Sequence, residues 1–177
     1  MLQPESGVRP ASIKPVPAQA RSAAEWLAEQ YADGTSLVLG IKAMLDDITW
    51  DKNRTDDSEA AWERLGRHLG FHSVRPEKQY GTGPDNLWVL SNTLHAVVEL
   101  KTGCETDTIA KKDLDQLGGS VRWDAENYPE VAQLPVMLHP STQRHALGIS
   151  VPGMRVVTPD ALNELKRNFA AWAPYWT

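Results

Sequence analysis

The chain has 177 residues, 41% of them hydrophobic, which suits one globular domain with a proper core and a small helical extension. Its net charge of -5, from 18 basic and 23 acidic residues, argues against strong stand-alone binding to a nucleic-acid backbone. No apolar run reaches the roughly 18 residues of a membrane span, and Cys104, the only cysteine, excludes an intrachain disulfide and a multi-cysteine zinc site.

In chain order, residues 1–20 hold four prolines and no aromatic residue and read as a flexible tail or linker. They lack the apolar core of a signal peptide, so the expected location is cytoplasmic. Residues 21–54 read as an N-terminal helical extension. Trp26, Leu27 and Tyr31 mark a first helix that breaks near Asp33-Gly34. Leu37, Val38, Ile41, Met44, Leu45 and Ile48 recur at spacings of three and four and mark a second. Thr49 to Asp57 is polar and acidic, and a loop is expected there.

Residues 55–177 read as the main domain. Ser58 to Leu69 predicts a helix, with Trp62, Leu65 and Leu69 on one stripe and Gly70 as its stop. Phe71 to Val74 suits a short strand that ends before Arg75-Pro76. Gly81 to Pro84 is a turn. Asp85 to Leu90 and Ala96 to Lys101 read as two strands of a hairpin about Ser91-Asn92-Thr93. A helix follows from near Thr108 to about Asn127, with Gly118-Gly119 read as a break in it. Val131 to Leu138 and His145 to Ser150 are expected strands. Thr158 caps a last helix that opens on Pro159 and carries Leu162, Leu165, Phe169 and Trp172 on its apolar stripe. This order predicts an α/β (α+β) fold, a mixed central sheet flanked by helices.

In Ala96-Val97-Val98-Glu99-Leu100-Lys101, side chains alternate between faces. Ala96, Val98 and Leu100 share one face. Glu99 and Lys101 stand side by side on the other, with Val97. A buried strand rarely accepts two charges without a use for them. Asp85 opens the partner strand, and a hairpin brings its carboxylate beside Glu99. Two carboxylates can hold a hard divalent cation, as a rule Mg²⁺, through oxygen ligands. Such a cation offsets charge growing on a phosphate and lowers the pKa of a bound water. A nearby ammonium orients that water or stabilises the transition state.

Pro84-Asp85, thirteen residues, then Glu99-Leu100-Lys101 resembles the signature of the PD-(D/E)XK nuclease superfamily. The upstream Glu59-x11-Phe71-x3-Arg75-Pro76-Glu77 and the helix after the motif are similar to that superfamily as well, over roughly residues 58–138. GPDNLW, AVVELKTG and DLDQL resemble nuclease modules attached to bacterial helicases and defence systems. The resemblance implies a restriction-endonuclease-like core. It implies Asp85 and Glu99 as metal ligands, joined by the backbone carbonyl of Leu100, and Lys101 as the group that positions or activates the attacking water. A glutamate of the first helix often joins the metal in this superfamily, and Glu59 is the best match, with Glu63 second. Gln116 matches a glutamine of some branches. Those branches place a tyrosine four residues later, where this chain has Ser120.

Plain structural readings stand beside these. Asp56-x-x-Glu59 fits a helix capping arrangement. Lys111, Lys112 and Arg75 suit a phosphate backbone or a solvated face. The five histidines show no ligand spacing, Cys104 reads as a plain thiol, and Trp88 and Trp123 read as packing residues.

The expectation is therefore a hydrolase: a Mg²⁺-dependent deoxyribonuclease, with Mn²⁺ able to substitute, acting as a module of a larger protein or complex. The acidic balance is compatible with this, because carboxylates gathered for metal raise the negative count. It also suggests that a helicase, another protein partner or a parent chain delivers the DNA. A homodimer is implied by resemblance only. The alternatives are a catalytically silent nuclease-fold DNA-binding or scaffold module, and an RNA-directed or structure-specific nuclease using the same site.

Overall fold

The structure, a computed structural model, describes residues 18–172. Most of the expected tail, residues 1–17, lies outside the described residues, and Ala18 already belongs to the first helix. Helix α1 (Ala18–Gln30) and helix α2 (Gly34–Asp47) meet at Asp33. The Asp33 carboxylate accepts the Ser36 N–H at 2.7 Å, while Ser36 Oγ accepts the Asp33 N–H at 3.1 Å. This reciprocal cap starts α2 and is worth about 1 kcal/mol. Leu37, Ile41, Met44 and Leu45 form the buried stripe of α2.

The segment 49–57 is only partly a loop. A 3-10 turn spans Lys52–Arg54, and helix α3 (Thr55–His68) begins at once after it. Asp56 does not cap α3; the N-cap position is Arg54, without a side-chain cap. Buried Arg75 takes the Asp56 carboxylate instead, at 2.7 Å, and a charge-assisted bond outcompetes a cap. Gly70, at φ 81°, turns the chain out of α3.

Strand β1 (His72–Val74) is followed by a short helix α4 (Pro76–Tyr80). The sequence reading has no helix there. Pro76 sits in its first turn, and Gly81, at φ 72°, ends it by donating to the Glu77 carbonyl at 2.8 Å. Strands β2 (Asn86–Ser91) and β3 (Leu94–Leu100) form the expected hairpin. Helix α5 (Lys111–Asn127), strand β4 (Ala132–Leu138), strand β5 (Arg155–Val157) and helix α6 (Pro159–Trp172) complete the chain.

The five strands lie in the order β1-β2-β3-β4-β5. The pairs β1–β2 and β2–β3 are antiparallel, whereas β3–β4 and β4–β5 are parallel. The expected α/β class, a mixed sheet flanked by helices, is the observed one. Two details differ. Residues 145–150 are not a strand: Arg144 gathers the carbonyls of His145, Ala146 and Gly148 into a loop, and Leu147 and Ile149 are exposed. Gly118-Gly119 does not break α5, because Leu114, Leu117 and Ser120 on either side are anchored in the interior.

Helices cover both faces of the sheet. Ala96, Val98 and Leu100 of β3 join one core with Leu27, Ile41, Met44, Trp62, Leu65, Leu162 and Phe169. Trp88 stacks between Trp62 and Phe71 there, at ring distances of 5.1 and 5.9 Å, as a packing residue should. Met137 of β4 packs with Ile109, Leu114 and Leu117 in a second, smaller core under α5. The odd-numbered residues of β3 therefore face α5. No helix among the described residues is long and apolar enough to cross a membrane.

Candidate metal centre

The alternation of β3 leaves three polar positions toward α5 and the end of the sheet. At its start, buried His95 meets buried Asp124 of α5 at 2.9 Å, and Gln133 of β4 holds the other Asp124 oxygen. One turn earlier on α5, Ser120 donates to Glu99 Oε1 at 2.7 Å. The residue that replaces the expected tyrosine is thus a direct partner of Glu99. Gln116 lies one turn further toward the α5 N-terminus and is exposed.

Glu99 and Asp85 converge at the end of the hairpin. Glu99 is 0% and Asp85 4% exposed. Asp85 lies one residue before β2, where its Oδ2 accepts the Leu100 N–H at 2.7 Å. That bond fixes the carboxylate across the β2–β3 ladder. Lys101, just past β3, folds back so that its ammonium lies 3.0 Å from Glu99 and 3.8 Å from Asp85. The Lys101 N–H donates to the Leu138 carbonyl at 2.9 Å, which pins this turn to β4. Leu100 itself packs its side chain in the core.

Glu59 of α3 stands close enough to Asp85 to feel its charge, but its Oε2 is paired with Arg75. Burial, then the Asp85 charge, push the Glu59 carboxyl up, against the opposing pull of Arg75. Glu63 is paired with Arg67 on the same helix at 2.5 Å. The third carboxylate at Asp85 is instead Glu77 of α4. Its hydrogen bond with Asp85, then burial and the Asp85 charge, push it up to about 7. The sequence reading places Glu77 within the resembling stretch but gives it no role, because it has no helix over Pro76–Tyr80 to present it.

The electrostatics are those of crowded carboxylates. Burial, then the charge of Asp85, push Glu99 up to about 7, with Lys101 and Ser120 opposing. Burial would lower Lys101, but Asp85, Glu99 and Asp113 outweigh it and the ammonium is held above its ordinary value. An oxygen-only donor set at this density suits a hard divalent cation, which would relieve the repulsion that raises Glu77 and Glu99. Asp85 and Glu99 fit such a cation. Glu59 does so only if Arg75 releases it.

A second cluster lies past the same strand ends. Cys104, Asp113 and His139 bring a sulfur, a carboxylate oxygen and a ring nitrogen all within 4.8 Å of one another. Among the described residues this is the group of three or more such side chains drawn to that spacing; the carboxylates around Asp85 are not. Burial and then the Asp113 charge raise the Cys104 thiol, while burial lowers His139. The sequence gives no ligand spacing for it, since its members lie on three separate segments.

No protein-family model matches the chain, and neither a curated protein nor a solved structure does.

Proposed function

We propose that this chain is a metal-dependent nuclease of the PD-(D/E)XK type that hydrolyses DNA phosphodiester bonds, with Asp85, Glu99 and Lys101 as its catalytic set. The observation that carries this reading is the convergence of three charges, two of them nearly unexposed, at one end of the β2–β3 hairpin. Nothing in folding requires them there, since burying charges costs several kcal/mol per ion, on the order of the gain from pairing them.

Asp85 and Glu99 would hold the cation, with the Leu100 carbonyl implied by resemblance as a further ligand. When bound, Mg²⁺ supplies Lewis acidity at the phosphate and a more acidic water. The Leu100 amide orients Asp85, and the Ser120 hydroxyl orients Glu99. With Asp85 and Glu99 beside it, Lys101 is an ammonium held above its ordinary value. Its role is to donate hydrogen bonds to the attacking water and to the charge that builds on the phosphate as the P–O bond breaks. The expected setting is a larger protein or complex that brings the DNA, since the chain's charge of -5 gives little attraction of its own.

The test is cleavage of supercoiled plasmid, linear duplex and single-stranded DNA with Mg²⁺ or Mn²⁺, beside Asp85→Ala and Lys101→Ala. Cleavage by the parent and loss in both variants is the expected result. Folded parent that cuts nothing and gains no thermal stability from either cation overturns the proposal. A catalytically silent scaffold then becomes the reading, with Lys101 serving only to neutralise Asp85 and Glu99.

A further inference from the structure

We propose that Cys104, Asp113 and His139 form a second cation site, of different chemistry from the Asp85–Glu99 pair, that takes a transition-metal dication, Zn²⁺ foremost. The three residues come from the β3–α5 connection, the first turn of α5 and the position just after β4. The parallel pairing of β3 with β4 sets Leu100 beside Leu138, and so carries the chain ends that lead to Cys104 and His139 to one place.

Geometry comes first. Zinc–ligand bonds of about 2.0 to 2.3 Å in a tetrahedron separate neighbouring ligand atoms by roughly 3.3 to 3.6 Å. The three atoms already lie within 4.8 Å of one another, so small side-chain rotations close the site.

The second observation is independent of spacing. His139 is 0% and Asp113 5% exposed, yet His139 Nε2 and Asp113 Oδ2 have no hydrogen-bond partner. Buried polar atoms are nearly always paired, and leaving them unpaired is costly. The buried hydroxyl of Thr102, two residues before Cys104, is likewise unpaired. A dication bound by His139 and Asp113 satisfies both of their free atoms at once.

The imidazole is supported as a metal-bound one needs to be. His139 Nδ1 lies 3.0 Å from the Ser141 carbonyl, so an Nδ1–H can donate there and leave the unpartnered Nε2 lone pair free for a cation. In the other tautomer Nδ1 accepts the Ser141 N–H at 2.9 Å, and Nε2 carries a proton with no acceptor. Binding selects the first.

Donor type names the metal. A thiolate and an imidazole disfavour Mg²⁺ and Ca²⁺, and one thiolate with one imidazole and one carboxylate is a zinc set. Binding replaces the Cys104 S–H bond by an S–metal bond and releases the proton to solvent. Thiolate and carboxylate together then balance the dication's charge, and the fourth position is left to water or to Thr102. The ion would tie the turn that carries Lys101 to α5 and β4. This inference does not rest on the nuclease reading.

The test is titration of the full chain with Co²⁺, followed by displacement with Zn²⁺. The parent is expected to develop the near-ultraviolet sulfur-to-cobalt charge-transfer band at roughly one ion per chain, and to lose it to Zn²⁺. Cys104→Ser, at a half-buried position that should fold unchanged, is expected to lose the band and the thermal stabilisation by Zn²⁺. Asp113→Asn is expected to weaken Co²⁺ binding about tenfold or more. Asp85→Ala should keep the band, which separates this site from the other. A parent without the band, or a band unaltered in Cys104→Ser, overturns the inference. So does alkylation of Cys104 at the same rate with and without Zn²⁺, which would leave it a plain thiol.

Discussion

Glu99 has no solvent exposure, and its carboxyl is pushed up to about 7 from the ordinary 4.5. The folded protein therefore binds this proton more tightly than the unfolded chain does. Stability from this group is full below about pH 4.5 and is lost as pH rises toward 7, with no further change above. Glu77 and Glu59, raised beside the same Asp85, act in the same direction, whereas His68 and His139 are lowered by burial and act in the opposite direction below about pH 6.5, so the parent's profile alone mixes these effects. The difference between Glu99→Gln and the parent isolates Glu99. In metal-free buffer that difference should grow in favour of the glutamine between pH 5 and pH 8, to an upper bound of about 3 kcal/mol. Urea titrations across that range check it, and a difference that is flat with pH contradicts the assignment. The same protons compete with a cation. Mn²⁺ affinity measured by calorimetry should rise about tenfold from pH 6 to pH 8 if one proton is displaced. Ser120→Ala removes the donor to Glu99 Oε1, so it should shift that rise toward higher pH while leaving the fold intact.

Arg75, between β1 and α4, reaches back to α3, where its guanidinium is paired with Asp56 and Glu59 although the residue is only 7% exposed. Arg75→Ala would leave Glu59 half-buried without its partner, and should destabilise the protein by about 3 kcal/mol in denaturant unfolding. If Glu59 is then freed toward Asp85, Mn²⁺ should recover part of that loss; no recovery would keep Glu59 out of the metal set. Elements of this kind divide what was legible in the sequence from what was not. The period-two alternation of β3 placed Glu99 and Lys101 on one face, and the Pro84-Asp85 turn placed a carboxylate opposite, because both depend on local geometry alone. Helix α4 was hidden, since Pro76 and Gly81 act as its first-turn residue and C-cap but read equally well as turn signals. With it went Glu77. The Cys104, Asp113 and His139 cluster had no local signal at all, because its members meet only through the β3–β4 crossover.

Across the whole molecule, the N-terminal helices share the sheet's main core. Leu27, Leu37, Ile41, Met44, Leu45 and Ile48 are all buried in one cluster with Trp62, Leu65, Leu138, Leu162 and Phe169. Further ties run the same way: Gln19 donates to the Leu69 carbonyl at 2.8 Å, and Lys166 of α6 reaches the Ile48 carbonyl at 2.5 Å. Six buried apolar side chains at about 2 kcal/mol each approach the entire stability of a domain, about 5 to 15 kcal/mol. Deleting residues 1–48 would also strip the outer layer from α3, the helix that lies on β2 and β3. A fragment of residues 49–177 should therefore lose cooperative unfolding and, with it, any stabilisation by Mn²⁺ or Zn²⁺. Calorimetry of the fragment beside the full chain decides this. A fragment that unfolds cooperatively near the parent's Tm would show the helices to be an accessory layer. The charged site at the hairpin end would then stand on the sheet, α3, α4 and α5, since α5 supplies Ser120 and packs through the separate core around Leu114, Leu117 and Met137.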